Sequence, residues 1–193
     1  KLPVLVSFDG WGAAGKGSIL GKIIKNIDPR FFKVAVMDKP TEDEKRRPFL
    51  YRYVINIPEA GKFTFMDGGC LDEVTKQKLS GKITDEEYKR KIESVKRFER
   101  QLSDNGYLVI KFFFHIGEQE QRKRLTRLLD DKNTRWRVSE YDWWQNQHYK
   151  KSLKAFDQFI DDTSQSIAPW YIVDATDKKW AQLQILETLV QAI

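Results

Sequence analysis

The sequence predicts an α/β domain built on an open, parallel, five-stranded sheet flanked by helices. Three observations carry that expectation: five short apolar runs, segments of helical period between them, and a glycine-rich turn joining the first run to the first such segment. Strands joined by helical crossovers run parallel.

The first run, Val4-Leu5-Val6-Ser7-Phe8, is almost continuously apolar, which suits a strand covered on both faces. Residues 18–26 follow with apolar side chains at Ile19, Leu20, Ile23 and Ile24, the period of a helix packed on that strand, and Asp28-Pro29 ends it. Residues 33–37 give a second strand, 46–57 a helix stopped at Pro58, and 62–66 a third strand running into Asp67-Gly68-Gly69. Thr84 with Glu87 three positions on forms a capping box that starts a long helix to about residue 103. After Gly106 comes the most apolar strand, 107–114; a helix over 118–129 and a polar, basic stretch over 130–139 come next. A long helix over 140–162, a last strand over 170–173 and a closing helix over 179–192 complete the chain. No repeat, linker or low-complexity tract interrupts the 193 residues, so a single domain over 1–193 is expected, with a lid at about 130–142.

Composition narrows the function. Lys and Arg number 34 against 28 Asp and Glu, a net charge of +6, so an anionic partner is expected. The 40% hydrophobic and 13% aromatic content is that of a packed globule rather than a disordered tail. One cysteine, Cys70, cannot form an internal bridge, which fits a reducing, cytoplasmic setting. No apolar run nears the roughly 18 residues that a membrane span needs. The start at Lys1-Leu2-Pro3, without an initiator Met, reads as a domain cut from a longer parent.

The chemistry is expected at Gly10-Trp11-Gly12-Ala13-Ala14-Gly15-Lys16-Gly17, which meets the P-loop pattern except at its last place, where Gly17 stands and Ser18 comes one residue late. In a strand-to-helix turn, glycines let backbone N–H groups curl around phosphate oxygens, the helix N-terminus adds partial positive charge and Lys16 adds a full one. Gly10, Gly12, Ala13, Ala14, Gly15, Lys16, Gly17 and Ser18 are therefore the candidate phosphate cradle. Asp67, at the end of the third strand, holds the place where such proteins set a carboxylate for Mg²⁺. Residues 122–137 carry seven basic side chains against two acids, and Lys132, Arg135 and Arg137 follow the helix where a mobile lid would cover phosphates. His115 reads as a structural residue at a strand end, His148 as surface, and Cys70 as packing. Trp136, Trp143, Trp144 and Trp170 could stack a base, but at helical or strand spacing most of them read as core anchors. No Cys or His cluster has metal-ligand spacing, and no nucleic-acid recognition motif appears.

Phe8-Asp9-Gly10-Trp11, Ala13-Ala14-Gly15-Lys16-Gly17, Asp28-Pro29-Arg30, Pro40-Thr41 with Glu44, Arg52-Tyr53-Val54 and Pro58-Glu59-Ala60-Gly61 together resemble the polyphosphate kinase 2 family. Phe98-Glu99-Arg100-Gln101-Leu102, Lys111-Phe112 with His115, Glu120-Gln121, Arg135-Trp136-Arg137 with Ser139 and Asp142, Ala168-Pro169-Trp170 and Asp177-Lys178 continue the resemblance in family order. It implies a thymidylate-kinase-like P-loop fold that transfers phosphoryl groups between inorganic polyphosphate and a nucleotide (AMP, ADP or ATP) with Mg²⁺. It further implies Lys16, Asp67 and Arg135 as catalytic residues, Arg52 on the nucleotide side, and contact with a second copy or a sister domain.

The chain also departs from the family pattern. Gly12 stands where the family usually has Asp, Asp67 is followed by Gly68-Gly69-Cys70-Leu71 where the family reads Arg-Ser-Trp-Tyr, and Glu73 stands at a further Arg position. Loss of one acid and two basic clamps weakens transition-state stabilisation, because phosphoryl transfer rests on positioning and charge. Some members of the family carry two kinase-like domains in tandem, one of them degenerate, so a binding or structural domain beside an active sister is the alternative. Restoring Asp at residue 12 and Arg at residue 68 is expected to raise activity if neither glycine needs its backbone freedom.

Overall fold

Five parallel strands in the order β2-β3-β1-β4-β5 form the centre of a computed structural model, which describes residues 1–37 and 39–193. They are β1 (Val4–Gly10), β2 (Phe32–Val36), β3 (Phe63–Asp67), β4 (Leu108–His115) and β5 (Trp170–Asp174). Each lies within two residues of its predicted span. The helices are α1 (Lys16–Ile24), α2 (Glu42–Lys45), α3 (Tyr51–Val54), α4 (Cys70–Leu79), α5 (Asp85–Asp104), α6 (Glu118–Asp130), α7 (Glu140–Gln147), α8 (Tyr149–Thr163) and α9 (Lys178–Ala192).

The strands form where the sequence is continuously apolar, because both faces of the sheet are covered. Val6, Phe8, Ile110 and Phe112 pack with Ile19 and Ile23 of α1 and Ile185 of α9. Leu5, Met66 and Val109 point the other way, into a second cluster with Tyr53 of α3 and Leu102 of α5. Phe8 and Phe112, side by side in register, stack at 5.6 Å between ring centroids. The predicted capping box starts α5: Glu87 N–H donates to Thr84 Oγ1 at 3.2 Å, and Thr84 N–H donates to Glu87 Oε2 at 2.8 Å.

Three helix expectations change. Of the helix expected over 46–57 only the single turn α3 forms, after Pro48, whose missing N–H and restricted predecessor separate it from the single turn α2 that precedes the expected span. The helix expected over 140–162 is interrupted at His148, where φ −114° and ψ 38° end α7 and begin α8. Residues following Asp67-Gly68-Gly69, for which the sequence predicts no element, form α4. Its segment is largely polar and begins after Gly69 without a side-chain cap, so neither usual start signal is present.

Register sets the site. Phe8 of β1 lies opposite Asp67, the last residue of β3, and β1 runs on to Gly10 beside Phe114 of β4. The turn after β1 thus sits at the carboxyl edge of the sheet, between neighbours on both sides, which is where open parallel sheets bind ligands.

Candidate functional site

The phosphate loop leaves β1 through backbone that few side chains tolerate. Gly10 has φ 126° and Gly15 has φ 97°, and Ala13 is the non-glycine residue at positive φ, 62°, among the described residues. A side chain on Gly10 would begin 2.5 Å from the Phe114 carbonyl oxygen, so glycine is needed there for space as well as conformation. Trp11 N–H donates to the same carbonyl at 3.2 Å, and Ala14 N–H closes the turn on Trp11 O at 3.2 Å. Gly15 then caps α1, whose first residues, Lys16, Gly17 and Ser18, turn their amides toward the loop's opening. Lys16 Nζ donates to Gly10 O at 2.8 Å and to Trp11 O at 3.3 Å, and lies 3.8 Å from an Asp72 carboxylate oxygen.

Trp11 is the buried anchor of the loop. Its indole stacks on Tyr149 at 4.0 Å and meets Phe156 edge-on at 5.0 Å, fixing the loop to α8. Asp9, two residues earlier in β1, is wholly buried. Ser7 Oγ donates to one of its oxygens and the Asp72 N–H donates to the other at 3.3 Å. Burial first, and then the neighbouring Asp72, push the Asp9 carboxyl up to about 7. The Asp72 carboxyl is also raised, again chiefly by burial, against the pull of Lys16. Gly69 makes this arrangement fit, since a side chain there would begin 2.6 Å from Ser7 Oγ and closer still to Asp9.

Two cavities flank Lys16. The first, about 910 Å³, lies over α4 and α7 and is lined by Lys16, Arg52, Gly68, Asp72, Glu73 and Asp142 among others. Arg52 is buried at its edge, with Nε 3.3 Å from Glu44 and Nη1 4.0 Å from Glu73, while Tyr53 OH donates to Glu73 at 3.0 Å. The second, about 900 Å³, lies over α6 and the start of α9 and is lined by the loop residues 13–18, Asp67, Lys123, Arg124, Arg127, Arg137 and Lys178. Cations crowd it: burial and then the charges of Arg124, Lys22 and Arg127 lower the Lys178 ammonium. Arg124 spends its guanidinium on the frame, donating to the carbonyls of Ala14 at 3.1 Å, Ala175 at 2.9 Å and Thr176 at 2.8 Å.

The sequence-predicted residues fall unequally on this frame. The whole loop, Lys16 and Asp67 come together, and Arg52 lines the first cavity. Of the expected lid, Lys132, Arg135 and Arg137 are all exposed on one segment, and of the three Arg137 lines the second cavity. That segment includes a single 3-10 turn, Arg135–Arg137. Trp136 is not a core anchor: it is 75% exposed at the rim of the second cavity, and its indole N–H donates to Asn133 O at 2.9 Å. Trp143, Trp144 and Trp170 are half-buried, and Trp170 Nε1 donates to Thr163 Oγ1 at 2.9 Å. His115 packs its ring against Trp11, His148 is exposed, and burial pushes the Cys70 thiol well up, so it is no nucleophile.

Sequence reasoning missed Asp9, Asp72, Gln121 and Gln145, and assigned Asp142 no role. Gly12 N–H donates to Gln145 Oε1 at 2.9 Å, and Gln121 Nε2 donates to Gly12 O at 3.3 Å. Asp142 fills the space a side chain at residue 12 would need: its Cγ lies 2.8 Å from the position of such a Cβ, and an oxygen lies nearer. Gly68 has φ 91°. Gly68 thus fails the condition of backbone freedom on which restored activity was expected, whereas Gly12 is not at positive φ and lacks instead the space for a side chain.

Among the described residues no three His, Cys, Asp or Glu side chains gather to hold a metal ion. Asp67 faces the loop at α1, its Oδ2 3.3 Å from where a Cβ on Gly17 would stand, while Asp72 lies by Lys16 and Asp142 by Gly12. A carboxylate such as Asp67 beside a phosphate cradle fits Mg²⁺, which takes one or two carboxylates and completes its shell with substrate phosphates and water.

The polyphosphate kinase 2 family model matches residues 1–193, the whole chain. The chain belongs to the polyphosphate kinase 2 family. A polyphosphate:AMP phosphotransferase of Pseudomonas syringae pv. tomato is 33% identical over 186 residues, 96% of this chain and 37% of that protein. The crystal structure of polyphosphate kinase 2 from Arthrobacter aurescens TC1 superposes with a TM-score of 0.94 at 28% identity, over 99% of this chain and 68% of that one. Thymidylate kinase from Ehrlichia chaffeensis shares the fold alone, with a TM-score of 0.55 at 11% identity over 98% of this chain and 100% of that one. The chain therefore spans little more than a third of the Pseudomonas relative. Its architecture is the P-loop kinase fold expected from the sequence. No described helix is long and apolar enough to cross a membrane.

Proposed function

We propose that this polyphosphate kinase 2 domain transfers phosphoryl groups between inorganic polyphosphate and a nucleotide, AMP or ADP. The observation that carries the proposal is the place of Lys16, which lines both cavities and so stands at their junction. The second cavity, with Lys123, Arg124, Arg127, Arg137 and Lys178, suits a polyanion, and the first, with Arg52, suits the nucleotide. In transfer to the nucleotide, an oxygen of its terminal phosphate forms a bond to the end phosphorus of the chain as the bridging P–O bond breaks, releasing polyphosphate one unit shorter. Lys16 and the loop amides hold the phosphoryl oxygens and Arg137 closes on the chain, with Arg135 beside it. Asp67 would hold Mg²⁺, which when bound neutralises charge on the phosphate oxygens. A cytoplasmic setting and contact with a second copy or sister domain belong to the same proposal. Incubation with polyphosphate, Mg²⁺ and AMP or ADP should yield a phosphorylated nucleotide above a Lys16→Ala control; equal yields would sink the proposal.

A second function, binding beside a catalytic sister domain, is favoured by one observation. Glu73 and Glu44 engage Arg52, the cation on the nucleotide side, which lowers the positive charge offered to an acceptor. Polyphosphate binding without turnover would support it.

A further inference from the structure

Gly12 is gripped on both sides of its peptide by side chains of the two helices that flank the segment 131–139. From α7, Gln145 Oε1 accepts the Gly12 N–H at 2.9 Å; from α6, Gln121 Nε2 donates to the Gly12 carbonyl at 3.3 Å and to Gln145 Oε1 at 2.9 Å. Asn146 Nδ2 then donates to Gln121 Oε1 and to Glu118 O, both at 3.0 Å. The three amides are 0%, 3% and 2% exposed for Gln121, Gln145 and Asn146, so a bond lost here is not replaced by bulk water. Asp142, one turn before Gln145, occupies the space beside Gly12 while its other oxygen accepts Ser139 N–H and Oγ, each at 2.8 Å. Helices α6 and α7 thus close on one residue of the phosphate loop, and the segment between them carries Trp136 and Arg137 into the second cavity.

We infer that Gln145, with Gln121, is a positioning residue that ties the 131–139 segment to the phosphate loop, so that the loop's conformation and the segment's seating over the polyanion change together. The inference rests on the proposed function for its ligand but not for its geometry. It requires no contact between Gln145 and phosphate: the amide acts through Gly12 on one side and through α7 on the other. A buried, closed set of amides has one low-energy arrangement, which suits it to hold register between two moving parts.

The test uses Gln145→Met, which keeps length and removes the acceptor, Gln121→Met, which removes the arm to the Gly12 carbonyl and the bonds to Gln145 and Asn146 but leaves the Gly12 N–H its acceptor, and Gln147→Met on the exposed side of α7 as control. Without ligand, amide hydrogen exchange in Gln145→Met should accelerate by about tenfold in both 10–18 and 131–139 while 108–115 stays protected. Gln121→Met should give the same pattern more weakly, and it decides the matter if Gln145→Met does not fold. Acceleration in the loop alone, or equally through 108–115, would overturn the tether. With polyphosphate as the probe, Arg137→Ala should weaken binding several-fold in the parent and have little effect on top of Gln145→Met; independent losses that simply multiply would overturn the coupling. A parent domain that binds no polyphosphate would count against the proposed function, and the exchange pattern would still decide the tether.

Discussion

Asp142 of α7 holds its carboxylate in the space where a side chain on Gly12 would begin, so the helix docks on the phosphate loop only because residue 12 is glycine. Asp142 thus brings a carboxylate from another element beside residue 12. It lies close enough to Asp72 for its charge to raise the Asp72 carboxyl.

Gly12→Asp is therefore expected to destabilise rather than restore. The new side chain displaces Asp142, loosens the Ser139 capping box and sets two carboxylates together, at a cost of about 1–3 kcal/mol. Urea unfolding should show a lower midpoint and the phosphotransfer assay no gain. Gly12→Asp combined with Asp142→Ala should recover part of the loss, and a fully stable, more active single variant would refute the account.

Gly68→Arg faces a different obstacle. The nearest atom to a Cβ there is Met37 Cβ at 3.4 Å, which is ordinary contact, but φ is 91°. The cost is conformational, about 1 kcal/mol or somewhat more, and should be the same for Gly68→Ala. If arginine costs clearly more than alanine in thermal melts, crowding and not backbone strain is the cause.

Asp9 predicts a pH dependence whose sign follows from its raised carboxyl. Its folded value of about 7 lies above the ordinary 3.8, so between these values the native state binds the extra proton and the unfolded state does not. Stability from this group is full at low pH, falls as pH rises from about 4 to 7, and levels off above. Asp9→Asn, which cannot ionise, should flatten unfolding midpoints between pH 5 and 8 and raise them at the alkaline end. An unchanged slope would remove Asp9 as the cause.

The buried pair Glu99–Lys111 ties α5 to the central sheet. Lys111 Nζ donates to both Glu99 oxygens at 2.8 and 2.9 Å and to Thr163 O at 3.0 Å, and both side chains are about 5% exposed. Burial raises the Glu99 carboxyl and lowers the Lys111 ammonium, so each charge depends on its partner. Glu99→Leu should cost about 3–5 kcal/mol, because it strands a buried ammonium, and Glu99→Leu with Lys111→Met should cost less than that single change. Denaturant titration of the three variants checks the order.

The strands and the phosphate loop were legible because their signals are contiguous: a strand covered on both faces is an apolar run, and the cradle is eight residues in a row. α4 was not, since Cys70–Leu79 is polar and begins from two glycines. The Gly12 clamp was illegible for a different reason. Its partners lie 109 and 133 positions away, and an uncharged Gln among other polar residues on a helix carries no local mark of burial. The same limit applies to Asp9, whose carboxyl is raised by burial and then by Asp72 of another element.

The two lid arginines should separate under salt. Each basic side chain that pairs with a polyanion releases condensed counterions, so the steepness of affinity against salt counts the pairs formed. Both arginines are exposed, but Arg137 lines the second cavity beside Lys123, Arg124, Arg127 and Lys178, whereas Arg135 does not. Arg137→Ala should therefore lower the slope of log affinity against log salt by roughly one, and Arg135→Ala by clearly less. Polyphosphate titrations at several salt concentrations on the parent and both variants measure this directly. If the 131–139 segment rearranges on binding so that Arg135 turns inward, the two slopes will fall together, and Arg135 then takes the catalytic place the family resemblance gives it. A parent slope near zero would remove the basic cavity from polyphosphate binding altogether.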